Sequence, residues 1–293
     1  MTSNPTRTVF HIKWDRHQLE IGRRTLVMGI LNVTPDSFSD GGKFFALEKA
    51  IAHGQKLVED GADILDIGGE STRPFSEEIK EEEEIRRVVP IIEHLAKRVN
   101  IPISIDTTKS GVARRALDAG ASIINDVGAL RMDPALARLA AQRRVPVILM
   151  HMKGVPGTMQ VNPHYDDLVG EIKGFLSERI HFAIQEGIEK SKIIIDPGIG
   201  FGKTVDHNLQ LIRDLNLFCD LHVPILIGPS RKAFIRNTLK THFGEEFSSA
   251  KPQVETGTQA IVSASILNGA HIVRVHDVAN TVVTVKMIDA VRA

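Results

Sequence analysis

From residue 26 onward the chain alternates between short continuous apolar runs and longer segments whose apolar residues recur every three or four positions. The continuous runs predict strands at 26–33, 64–69, 102–107, 123–127, 145–152, 193–199, 224–229 and 272–277. They do not alternate apolar with polar, as expected of strands covered on both faces. Helical stripes lie between them: Leu47, Ala50, Ile51, Gly54, Leu57 and Val58; then Ile85, Val88, Val89, Ile92, Leu95, Ala96 and Val99; then Leu168, Ile172, Phe175, Leu176 and Ala183. Shorter helices fit at 109–119, 134–143, 205–216, 256–268 and 278–291. Eight strands, each followed by a helix, predict an α/β fold of the (β/α)8 TIM barrel kind, filling residues 1–293 as one domain. Two strand-like runs ahead of it, at 8–14 and 19–22, predict an N-terminal β-hairpin beneath the barrel.

A weak internal repeat supports the count. The third, fifth and seventh strands are entered through Ile101-Pro102, Val145-Pro146 and Val223-Pro224. The second, fourth and eighth are entered through Gly61-Ala62, Gly120-Ala121 and Gly269-Ala270. Gly after a helix suits a left-handed C′ position, and Pro suits a first strand residue whose N–H needs no partner. A doubly wound open sheet is the structural alternative, but no Gly-rich fingerprint follows the first strand.

Composition narrows the class. Acidic and basic residues balance at 36 each, so no excess charge points to nucleic acid or an anionic membrane. A single cysteine, Cys219, excludes an intramolecular disulfide and suits a reducing compartment. No apolar run approaches the roughly 18 residues needed to span a bilayer, and a cytoplasmic location is expected.

Chemistry in such a barrel sits where strands end. Those ends read Asn32; Glu70-Ser71-Thr72-Arg73-Pro74; Asp106; Asn125-Asp126; His151; Asp196-Pro197-Gly198; Ser230-Arg231-Lys232; Arg274 and His276-Asp277. Each alone suits a cap or a supporting bond, whereas polar groups at every end favour an active site. Asp106 and Asp196 emerge from apolar runs, so they need donors or a cation to stay charged. One arrangement is a closed set of ion pairs with Lys232 and Arg274. The other is a planar, nitrogen-rich heterocycle whose N–H edge meets the carboxylates and Asn125 while Lys232 meets its carbonyl. Arg274 and His276 fall on one side of their strand and, with Asn32, Thr72 and Arg73, could hold a phosphate or diphosphate. Asp277 is expected to cap the last helix.

Three motifs are set aside. Pro197-Gly198-Ile199-Gly200-Phe201-Gly202-Lys203-Thr204 looks like a phosphate-binding loop but has Pro where the first Gly is required. Glu77 to Glu84 reads as a solvated acidic run at a helix start. The twelve histidines show no zinc-binding spacing. A metal, if any, would be Mg²⁺ arriving with a diphosphate.

Residues 28–42, Met-Gly-Ile-Leu-Asn-Val-Thr-Pro-Asp-Ser-Phe-Ser-Asp-Gly-Gly, and 66–74, Asp-Ile-Gly-Gly-Glu-Ser-Thr-Arg-Pro, resemble the two signatures of dihydropteroate synthases. Ser104-Ile105-Asp106-Thr107, Asn125-Asp126, Met150-His151, the 196–203 block, Ser230-Arg231-Lys232 and Arg274-Val275-His276-Asp277 extend the match from about residue 25 to the end. The resemblance implies condensation of 6-hydroxymethyl-7,8-dihydropterin diphosphate with p-aminobenzoate, with Mg²⁺ as cofactor and a homodimer as the assembly. It implies a pterin pocket of Asp106, Asn125, Met150, Asp196, Lys232 and Arg274. It places diphosphate on Asn32, Thr72, Arg73, Arg274 and His276, with Asn32 as the metal ligand. It places p-aminobenzoate, and competing sulfonamides, beside Phe38, Thr72, Pro74, Phe201, Lys232 and Ala233. Asp106, Asp196, Lys232, Arg274 and His276 are then the catalytic set. Two departures are Phe75 where the family usually has Gly, and Ala233 where Ser or Arg is common.

Loss of diphosphate would leave a pterin methylene cation for the aniline nitrogen to attack, which agrees with the absence of a paired Ser or Cys nucleophile. The 36–42 segment, carrying Phe38, reads as a lid that excludes water. A pterin methyltransferase would lack both signature loops. A non-catalytic pterin-binding relative would be expected to lose Asp106, Lys232 or the first loop, and none is lost.

Overall fold

The apolar runs do form strands covered on both faces. The structure, a computed structural model, describes residues 7–33, 42–71, 79–154 and 157–292, with side chains for all of these but 42–46. Phe38, Thr72, Arg73, Pro74 and Phe75 lie outside the described residues, as do 36–41 of the expected lid. The hairpin is β1 (Phe10–Trp14) and β2 (His17–Ile21). Then follow β3 (Leu26–Asn32), α1 (Gly42–Glu59), β4 (Ile64–Gly68), α2 (Glu81–Leu95), β5 (Ile103–Asp106), α3 (Ser110–Asp118), β6 (Ile123–Asp126), α4 (Pro134–Arg143) and β7 (Val147–Met150). The chain continues through α5 (Leu168–Gln185), β8 (Ile193–Asp196), α6 (Val205–Arg213), β9 (Leu226–Ile227), α7 (Ala233–Phe243), α8 (Pro252–Leu267), β10 (Ile272–Val275) and α9 (Val278–Arg292).

Strands β3 to β10 form one parallel sheet in the order β8-β7-β6-β5-β4-β3-β10-β9. A parallel bridge between Ile195 and Ile225 joins its two edges, so the sheet closes into the expected TIM barrel. Ile64, Ile67, Ile105, Ile123, Ile148, Ile194 and Ile272 are fully buried in the core shared by strands and helices. Gly54 is in the α1 stripe for a steric reason, since a Cβ there would stand 2.7 Å from Leu95 Cδ1 of α2.

The hairpin buries Ile12, Trp14, Leu19 and Ile21. It sits at the N-terminal ends of the strands, where Phe10 meets His271 edge-on at 5.3 Å. Arg7 donates to Gly22 O (3.1 Å), to Thr25 Oγ1 (3.0 Å) and to the Ala270 carbonyl just ahead of β10. The expected hairpin beneath the barrel is therefore present.

Strand and helix bounds differ from expectation where the reason is local. The seventh barrel strand shrinks to Leu226–Ile227, because Pro224 has no N–H to give and Gly228-Pro229 interrupts the ladder. Helix α7 has no counterpart in the periodic pattern, since Phe234 and Ile235 are its only buried residues. Helix α8 starts four residues early, at Pro252, a proline suited to the first helical turn. No helix among the described residues is long and apolar enough to cross a membrane.

Candidate active site

The barrel's C-terminal mouth gathers the charges the apolar strands could not hide. In-register pairing puts Gly68 of β4 beside Asp106 of β5, and Asp106 beside Asn125 of β6. Two residues below Gly68, Asp66 points into the barrel and is fully buried. Arg274, on β10, extends across this floor. Its Nε donates to Asp66 Oδ2 at 2.6 Å and its Nη2 to Asp106 Oδ2 at 2.6 Å, while Asn125 Nδ2 donates to Asp66 Oδ2 at 3.1 Å. Burial opposes the guanidinium charge, but Asp66 and Asp106 outweigh it and hold Arg274 above its ordinary range. Burial pushes Asp106 up to about 7, against the pull of Arg274. One cation shared by two carboxylates leaves excess negative charge facing the mouth. A ligand edge rich in N–H groups would match it.

The opposite side of the mouth is built on the β8–α6 loop. Asp196 ends β8, and its Oδ1 accepts from the Gly198 N–H at 2.7 Å. Gly198 has φ 75°, and a Cβ there would come within 1.8 Å of the His151 carbonyl oxygen, so only glycine fits. Burial pushes Asp196 up to about 6, while the Gly198 N–H and Lys232 pull it back. Lys232 precedes α7, after Arg231 at a left-handed φ of 58°. That turn is tied to α8, because Arg231 N donates to Thr258 Oγ1 and Arg231 Nε to Glu255 Oε2, each at 3.2 Å. From there Lys232 places its Nζ 3.9 Å over the Phe201 ring. Val127, Met150, Met152, Met159 and Phe201 form a separate buried apolar cluster, a wall beside these polar groups.

The third component lies where β3, β9 and β10 end. Asn32 Nδ2 is 3.5 Å from His276 Nε2, and His276 Nδ1 is 2.9 Å from Ser230 Oγ. The Ser230 hydroxyl also accepts from the His276 N–H at 3.2 Å, which fixes the imidazole and ends β10 before His276. Asp277 caps α9 as expected, accepting from Asn280 N at 3.1 Å. Among the described residues no three His, Cys, Asp or Glu side chains could hold a metal together. The oxygen of Asn32 suits an ion that takes most of its ligands from a phosphate and water.

Asn32, Asp106, Asn125, Met150, Asp196, Phe201, Lys232, Arg274 and His276 thus all line or edge one mouth. Ala233 is exposed at the first position of α7, beside Lys232. Two strand-end groups turn elsewhere. Asp126 accepts from Gly128 N (2.7 Å) and Leu130 N (2.6 Å) and shapes its own loop, and His151 faces Lys203 at 3.0 Å. Of the two arrangements read from the sequence, the ion-paired one is present in part, through Arg274 and Asp106. Its second carboxylate is Asp66, which sequence reasoning missed; a lone acid inside the apolar run Ile-Leu-Asp-Ile-Gly was the available signal.

The acidic run at 77–84 needs a correction. Glu84 is not solvated but fully buried in α2. Its Oε2 accepts from Lys109 Nζ at 2.8 Å, and Lys109 also reaches Glu70 Oε2 at 2.6 Å. Glu70 Oε1 in turn accepts from Ile79 N at 3.0 Å, tying the two ends of the second loop together. Of the four acids in the first turn of α2, only Glu84 turns inward, where this lysine meets it.

Comparison with known proteins identifies the family. The pterin binding enzyme family matches residues 28–276. A dihydropteroate synthase of Synechocystis sp. is 46% identical over 270 residues, covering 92% of this chain and 91% of the relative. The Xanthomonas albilineans dihydropteroate synthase solved with 4-aminobenzoic acid superposes with a TM-score of 0.87 at 47% identity, covering 98% of this chain and 99% of that one. The Yersinia pestis dihydropteroate synthase solved with a sulfonamide drug gives a TM-score of 0.88 at 41% identity, covering 97% and 99%.

Proposed function

The chain belongs to the dihydropteroate synthases of the pterin-binding enzyme family, and we propose from this how its residues join a pterin diphosphate to p-aminobenzoate. The products are 7,8-dihydropteroate and diphosphate. The observation that carries the assignment of roles is the hydrogen-bonded set of buried Asp66 and Asn125 with part-buried Asp106 and Arg274, facing Asp196 across the mouth.

The pterin's N–H edge binds to Asp106, Asn125 and Asp196, and its carbonyl to Lys232. Met150 and the apolar cluster around it cover one ring face, and the guanidinium of Arg274 lies against the other. The diphosphate extends towards Asn32 and His276, with Thr72 and Arg73 as further contacts. His276, held by Ser230 at Nδ1, donates from Nε2 to the departing oxygens once they replace Asn32 Nδ2 at that nitrogen, which lowers the barrier by meeting charge where it develops. Mg²⁺ held by Asn32 would supply further neutralisation of the diphosphate. As the C–O bond breaks, the electron pair leaves with diphosphate. The methylene cation sits in the negative field of Asp66, Asp106 and Asp196, and the neutral aniline nitrogen attacks it and then loses a proton. Phe201 and Lys232 border the p-aminobenzoate, with Phe38, Pro74 and Ala233 nearby. No side-chain nucleophile is needed.

The assembly is a homodimer. Val283, Met287 and Val291 form an exposed apolar stripe at four-residue spacing on α9, the neighbouring helix α8 exposes Leu267, and a second copy would cover the stripe. Purified protein mixed with the pterin diphosphate, Mg²⁺ and p-aminobenzoate should release diphosphate and form dihydropteroate. Absence of both products would refute the assignment.

A further inference from the structure

The loop that looks like a phosphate-binding motif turns its lysine into the protein. Lys203 is almost fully buried. Its Nζ donates to the Phe201 carbonyl at 2.9 Å and to His151 Nδ1 at 3.0 Å. His151 accepts because burial and the cations Lys203, Arg131 and Lys153 keep its ring neutral. The carbonyls on either side are held too. Gln160 Nε2 donates to Gly200 O at 2.5 Å, and Tyr165 Oη donates to Gly202 O at 2.9 Å. Three consecutive carbonyls of a glycine-rich loop therefore each receive a donor from a different side chain. Without them, flanking glycines at φ 83° and 65° would leave Phe201 free to swing.

We infer that Lys203 is a positioning residue that mounts the Phe201 ring against Lys232, and so sets recognition of p-aminobenzoate without touching either substrate. Lys232 lies over the ring from the mouth side, and Lys203 holds the ring's own backbone from below. Burial favours the neutral amine at Lys203 and opposes its charge, whereas Asp196 supports the charge. The Phe201–Lys232 platform lies on the p-aminobenzoate side, so loss of the mount should affect that substrate first. The assignment to p-aminobenzoate rests on the activity proposed above; the mounting of Phe201 does not.

Two measurements on Lys203→Met test this. Hydrogen exchange across residues 198–203 needs no activity and should speed up at least tenfold, with the rest of the barrel unchanged. Unchanged exchange in this loop overturns the mount whatever the protein catalyses. In steady state, KM for p-aminobenzoate should rise roughly tenfold while KM for the pterin diphosphate stays within about twofold. Equal rises in both KM values, or no rise for p-aminobenzoate, overturn the specificity role. Tyr165→Phe, which removes only the adjacent donor, should shift exchange and p-aminobenzoate KM the same way by about threefold. It decides the matter if Lys203→Met does not fold, and no shift in it overturns the inference. Wild-type protein that forms no dihydropteroate would instead refute the proposed activity, and the exchange result would still stand.

Discussion

Arg274 Nε donates to Asp66 Oδ2 across 2.6 Å, joining β10 to β4 over the intervening β3. The same carboxylate oxygen takes Asn125 Nδ2, so one buried acid orients both the cation and the amide of the mouth. Its other oxygen, Oδ1, is buried with no protein partner. Removing the charge would loosen two site groups at once.

Asp66→Asn should therefore lower stability by about 2 kcal/mol, less than full loss of a buried pair because Arg274 keeps Asp106. Pterin affinity should fall at least tenfold, since Arg274 and Asn125 lose their common anchor. Denaturant unfolding and calorimetric titration of the pterin would show it. Unchanged affinity would mean Asp66 is only structural.

Lys232→Met keeps the stem over Phe201 and removes the ammonium. Turnover should drop roughly hundredfold, the usual cost of removing one electrostatic donor at a reacting group. The measurement is kcat and both KM values. Activity within twofold of wild type would contradict the placement of Lys232 at the pterin carbonyl.

Much of this arrangement was legible in the sequence, for identifiable reasons. Continuous apolar runs ending in Asn32, Asp106, Asn125, Asp196 and Arg274 revealed both the barrel and the rim, because strands buried on two faces allow polar residues only at their ends. Helix α7 was not legible, since only Phe234 and Ile235 face the core and two positions make no period. Asp66 was missed and Glu84 misjudged because their partners, Arg274 and Lys109, are distant in sequence. A buried charge is visible only once its counter-ion is placed.

Lys109 provides a sharp test of that last point. It is the cation between Glu70 and fully buried Glu84, whose carboxyl burial pushes upward while Lys109 pulls it down. Lys109→Met should cost about 3 kcal/mol by stranding Glu84. Glu84→Gln alone should cost less, and adding it to Lys109→Met should restore much of the loss. Denaturation midpoints of the three variants decide it. Strict additivity would show that the pair is not coupled.

Asp196 allows a prediction in which binding and stability move in opposite directions with pH. In the folded chain burial pushes it up to about 6, above its ordinary value of 3.8. Between those values the folded state holds a proton that the unfolded chain has released. Its contribution to stability is therefore fully present below the ordinary carboxylate range and is lost as pH rises through about 6. Pterin binding has the opposite requirement, because the carboxylate must be ionised to accept the ring's N–H donors. KM for the pterin diphosphate should improve as pH rises from about 5 to about 8, while the denaturation midpoint loses this one contribution. Burial pushes Asp106 and Asp126 up as well, to about 7 and about 6, so the comparison must be with Asp196→Asn. That variant should bind pterin at least tenfold more weakly at neutral pH and should flatten the pH dependence of both quantities relative to wild type. If the variant keeps the wild-type KM profile, Asp196 does not meet the pterin.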